Sequence, residues 1–142
     1  MKHWAVWTCL GLSILLLGFW LGKISTSKAA PSSRVFELRT YTANEGKMEE
    51  LQARFRNHTT RLFEKHGMTN IGYWTPQEAP GSQTTLIYIL AHSSRAAADK
   101  SWEAFRKDPE WIKVKDASEV NGKLVNKADS VYLLPTDFSL IK

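Results

Sequence analysis

The sequence predicts an α+β domain, a four-stranded antiparallel sheet with helices on one face. Three observations carry that expectation. Val35–Thr42 (VFELRTYT) and Thr84–His92 (TTLIYILAH) alternate like strands and are rich in β-formers. The long stretch between Asn44 and Gly67 repeats its apolar residues at helical spacing. The elements follow in the order strand, helix, strand, strand, helix pair, strand, which an antiparallel four-stranded sheet with helices on one face satisfies.

In the first strand Phe36, Leu38 and Thr40 face one side, and Glu37, Arg39 and Tyr41 the other. Asn44 is a suitable cap for a helix that runs to His66 and stops at Gly67, a residue suited to a left-handed C-terminus. Met48, Leu51, Phe55, Leu62 and His66 form its apolar stripe. Asn70–Thr75 (NIGYWT) reads as the second strand, and residues 76–83 as a turn leading into the third. Ser93 or Ser94 caps a helix from about Arg95 to Lys107, with Trp102 and Phe105 on one face. Asp108-Pro109 restarts a helix, Asp as cap and Pro at the first helical position. Asn121-Gly122 is its exit, and Ser130–Pro135 (SVYLLP) the last strand. This order is that of a ferredoxin-like layer. Its helix-free sheet face needs a cover, and a second copy packed face to face supplies one, so a homodimer is expected.

The first thirty residues are of a different kind. Trp4–Gly22 is a run of nineteen residues without a charge, with Lys2 before it and Lys23 after it. It reads either as a signal peptide cleaved near Ala29-Ala30 or as an N-terminal transmembrane anchor, close to the twenty or so residues a bilayer span needs. The chain is thus expected to be membrane-anchored, or secreted or periplasmic, with residues 23–33 as linker. Cys9, the one cysteine, falls inside this run, so the folded part can hold neither a disulfide nor a catalytic thiol. The leader also accounts for much of the charge. The chain has 19 basic and 14 acidic residues, a net +5. Lys2, Lys23 and Lys28 belong to residues 1–30, which contain no acid, so the remainder is nearly neutral at +2. No concentrated basic patch remains for nucleic acid.

Several segments occur together in the order and spacing of a known family. They are VFELRTYT (Val35–Thr42), Asn44-Glu45-Gly46-Lys47, His66-Gly67, Gly72-Tyr73-Trp74, LIYILAHSSR (Leu86–Arg95), SWEAFRKDPEW (Ser101–Trp111) and VYLLPTDFS (Val131–Ser139). On these segments the chain resembles the NIPSNAP family over residues 34–139. The resemblance implies a ferredoxin-like fold that dimerises into an α+β barrel, an architecture shared with small monooxygenases and haem-degrading proteins. It implies no reaction and no set of catalytic residues.

If a cavity closes between the twins, its lining comes from the sheet face turned away from the helices. Placing Phe36 and Leu38, with Ile87 and Ile89, on the helix side leaves Glu37, Arg39, Tyr41, Tyr88 and His92 as ligand-binding candidates. Trp74 and Tyr132 join them by the same alternation. Arg39 is a fixed cation for a carboxylate or phosphate, and His92 or Tyr41 a group that exchanges a proton. His58 and His66, eight apart on one helix, are too far apart to share a metal. There is no phosphate loop, serine elbow or His-Glu-x-x-His motif, and no metal or cofactor is expected. The function expected is a dimeric module binding a small apolar ligand. A small barrel enzyme, a cofactor-free oxygenase or an isomerase, and a protein-interaction domain are the alternatives.

Overall fold

The computed structural model describes residues 34–142. The leader, and with it the signal-peptide or anchor reading, lies outside the described residues. Among the described residues no helix is long and apolar enough to cross a membrane.

Four strands, β1 (Val35–Ala43), β2 (Thr69–Trp74), β3 (Thr85–His92) and β4 (Val125–Leu133), form one antiparallel sheet in the order β2-β3-β1-β4. The expected α+β, ferredoxin-like layer is therefore present. The β-rich segments β1 and β3 are its two central strands. β4 starts five residues before the expected Ser130. Asn126, Lys127, Ala128 and Asp129 have little β propensity, yet they extend the ladder along β1, from Thr40 opposite Asp129 to Ala43 opposite Val125.

The first helical stretch is not one regular helix. α1 (Met48–Arg54) passes through a π-helical turn, Phe55–Thr59, into α2 (Thr60–Lys65). Within that turn the Thr59 hydroxyl donates to the Arg54 carbonyl at 3.2 Å, giving a carbonyl at the irregular turn a partner. Asn44 does not cap α1. Its side-chain amide donates to the Lys123 carbonyl at 2.7 Å, tying the loop after β1 to the one before β4, and Lys47 occupies the cap position. Gly67 has φ +76°, as its role at the helix end requires. A short α3 (Gly81–Thr84) precedes β3. α4 (Arg95–Lys107) and α5 (Pro109–Ser118) begin as expected: the Ser94 side chain accepts from the Ala97 N–H, and the Asp108 side chain from the Glu110 N–H.

The core lies between the sheet and these helices. Leu86, Tyr88 and Leu90 of β3 pack with Leu51, Phe55, Leu62, Phe63, Trp102 and Phe105. The ring of Phe63 stacks on Tyr88, with centroids 6.0 Å apart, and meets Phe105 at 5.0 Å. The inward side of β3 is thus Leu86, Tyr88, Leu90 and His92, and Ile87 and Ile89 point to the other face. This reverses the expected assignment of faces. Both sides of these strands carry apolar residues, so alternation separates the two sets without saying which is inside. The helices decide it, because they carry both the aromatic platform for Tyr41 and Tyr88 and a hydrogen-bond donor for Glu37.

Candidate functional site

Glu37 is the centre of the inward polar cluster. Its side chain is 1% exposed and accepts four hydrogen bonds. Oε1 accepts from Arg39 Nη1 at 2.6 Å and Ser130 Oγ at 2.7 Å. Oε2 accepts from Trp102 Nε1 at 2.6 Å and His92 Nε2 at 3.0 Å. Facing a carboxylate that only accepts, His92 Nε2 carries its proton. Burial alone would raise the Glu37 pKa, but the bonds from His92, Ser130, Trp102 and Arg39 outweigh it and hold it at about 2. The Arg39 guanidinium lies over Trp102, 4.3 Å from the ring centroid, and reaches the Tyr41 hydroxyl at 3.4 Å. Tyr41 and Tyr88 meet edge to face at 5.3 Å. The Tyr88 hydroxyl is buried without a partner among the described residues, and burial pushes its pKa well up. Tyr132 lies opposite Glu37 in the ladder, with its ring 6.3 Å from His92 and 3.8 Å from the Arg95 guanidinium.

Six of the seven candidate residues therefore come together, but beneath the helices rather than on the open face where they were expected. Trp74 alone stays apart. It pairs with Ile87 in the ladder, lies over Gly72 and is 51% exposed on the open side. His92 is buried behind Glu37, and it is not among the walls of the cavity that Tyr41 lines.

Of the residues brought together, Tyr41 lines a cavity. A cavity of about 320 Å³ lies between the sheet and the helices and opens between β4 and α5. Its walls are Tyr41, Phe55, Phe63, Phe105 and Trp111, with Val125 and Ala128 on the β4 side. Arg54, Thr59, Lys115, Glu119 and Lys123 supply its polar groups. Arg54 is 6% exposed; its Nη1 donates to Glu119 Oε1 at 3.0 Å and Ser118 Oγ at 3.2 Å, while its Nε is buried without a partner among the described residues. The guanidinium also sits over Trp111, 5.2 Å from the ring centroid. Burial would raise the Glu119 pKa, but the bonds from Arg54 and Lys115 bring it below the usual range. An aromatic pocket with a few convergent polar groups is the usual construction of a small-molecule site.

Arg54, Phe55 and Trp111 were missed as site residues. A signal was present for Arg54: it falls three residues after Leu51, on the apolar stripe, where a charge is out of place unless it is paired. Among the described residues no group of His, Cys, Asp or Glu is arranged to hold a metal. His66 instead pairs with Asp108 at 2.7 Å.

Solved structures share this architecture. A NIPSNAP family protein of unknown function from Agrobacterium tumefaciens superposes with a TM-score of 0.67 at 18% identity, covering 80% of this chain and 97% of that one. A second Agrobacterium tumefaciens NIPSNAP family protein gives 0.66 at 24% identity, over 77% of this chain and 99% of that one. An uncharacterized NIPSNAP-like domain protein from Burkholderia xenovorans gives 0.64 at 17% identity, over 76% and 90%. These identities speak for the fold alone. Among curated proteins nothing matches the sequence. The NIPSNAP family model matches residues 36–140, nearly all of the described part. With the segments, the strand order and the family match in agreement, the chain belongs to the NIPSNAP family.

Proposed function

We propose that this protein is a dimeric binding module that takes a small ligand into the cavity between its sheet and its helices, and that its leader holds it at or beyond a membrane. The observation that carries the binding reading is the cavity itself, with five aromatic walls and a buried arginine whose Nε lacks a partner among the described residues. At about 320 Å³ it is near the lower end of the range of roughly 300–1,000 Å³ typical of ligand pockets, so the ligand is small. The dimer is supported by the opposite face. Leu38, Ile87, Ile89, Val131 and Leu133 lie there, and Val131 is 54% exposed. Such a face is apolar surface that a second copy would cover. Because the cavity lies under the helices, a dimer built on the open face leaves its mouth accessible.

Calorimetric titration of the full chain with two bicyclic probes, 1-naphthoate and 1-naphthamide, tests the reading. At least one is expected to bind at one site per chain. Ala128→Trp, which places an indole at the mouth, is expected to abolish that binding without lowering the melting temperature. If neither probe binds, or if the plugged variant binds as well as the native chain, the cavity is not a ligand site.

A further inference from the structure

Resting on the reading of this cavity as a ligand site, we infer that its ligand is an organic acid, an apolar body carrying one anionic group, with the acid held at the mouth by Lys123, Lys115 and Arg54. Phe55, Phe63 and Phe105 of the walls are buried and Lys115 and Lys123 are exposed, so body and acid are assigned to different ends of the cavity. Four charged side chains line it: three cations and the single carboxylate of Glu119. That carboxylate is shared, since Arg54 Nη1 approaches one oxygen at 3.0 Å and Lys115 Nζ the other at 3.3 Å. Lys123 makes no ion pair among the described residues, so the mouth keeps an excess of two positive charges.

The arginine adds geometry to the charge. The contact with the Trp111 ring and the bonds to Glu119 and Ser118 hold the guanidinium in place. Nη1 takes both protein acceptors, and among the described residues Nη2 has none. A planar carboxylate suits such a fork better than a neutral amide does, because an amide brings one acceptor and an NH2 that repels the donors. A neutral apolar ligand would use the walls and leave the mouth's positive charge without a counterion.

The two probes differ only in this group. With the full chain at low salt, 1-naphthoate is expected to bind about tenfold or more tightly than 1-naphthamide, the ratio expected of a hydrogen bond to a charged group. Raising the salt should shrink that ratio, since the lysines are exposed. The double variant Lys115→Gln/Lys123→Gln changes two exposed side chains and should bring the ratio toward one. If the amide binds as tightly as the acid to the native chain, the inference is overturned and the cavity remains a ligand site. If the acid preference persists undiminished in the double variant, the lysines do not hold the acid, which overturns the assignment equally. Absence of binding by both probes defeats the cavity reading itself and the inference with it.

Discussion

Glu37→Gln changes almost nothing in shape and should cost much of the fold's stability. The carboxylate satisfies four donors, two on each oxygen. Glutamine offers one oxygen and an NH2. With the NH2 toward Arg39 and Ser130, the guanidinium loses its anion. With the NH2 toward His92 and Trp102, the histidine can change tautomer and accept, but the indole N–H can only donate. In either orientation a buried donor-only group is left facing another donor. Removing one partner of a buried pair costs about 3–5 kcal/mol. The acid–base behaviour of Glu37 gives a second route to the magnitude. Lowering its pKa from 4.5 to about 2 corresponds to roughly 3 kcal/mol favouring the folded state. Because the folded value is the depressed one, this contribution is complete above pH 4.5 and is lost as the pH falls through about 2. Urea unfolding of both proteins at pH 7 and across pH 2–5 measures both effects. The expected outcome is a loss of about 3 kcal/mol or more at pH 7 and a flatter acid slope in the variant. A loss below about 1 kcal/mol with an unchanged acid slope would refute the placement of this carboxylate at the centre of the cluster.

Three other outcomes are expected, two from the structure and one from the sequence of the leader. Ser94→Ala removes the acceptor for the Ala97 N–H at the start of α4 and should cost about 1 kcal/mol in thermal or urea unfolding. Val131→Asp puts a charge on the exposed open face; sedimentation equilibrium should show the native chain as a dimer and the variant as a monomer with the same far-UV circular dichroism. Expressed in a secreting host, the protein should keep its full mass and sediment with membranes; loss of residues 1–29 would instead identify a cleaved signal peptide.

The elements that were legible in the sequence owe it to local physics. Ser94 and Asp108-Pro109 satisfy helix starts within two or three residues of themselves, and Gly67 supplies a positive φ at no steric cost. β1 and β3 announce themselves by composition. The early start of β4 was not legible, because Asn126–Asp129 form a strand through pairing with β1 and not through their own preference. The π turn was hidden as well. Met48, Leu51, Phe55 and Leu62 keep a plausible helical spacing across it, although the turn accompanies the burial of Arg54 and Thr59.

The candidate site shows the same division. That Glu37, Arg39 and Tyr41 share one face of β1, and that Tyr88 and His92 share one face of β3, follows from the two-residue period of a strand and needed no structure. Which face that is depended on Trp102, 65 residues from Glu37, whose indole supplies a donor the carboxylate accepts. The cavity likewise joins α1, the π turn, α5 and β4, and its Arg54–Glu119 pair spans 65 residues of sequence. Sequence alone determined the elements, their order, and the sets of side chains that travel together, because these depend on neighbours a few residues away. Only the tertiary structure decided which side is buried and where space remains, because both are settled by side chains that meet only when the helices close over the sheet.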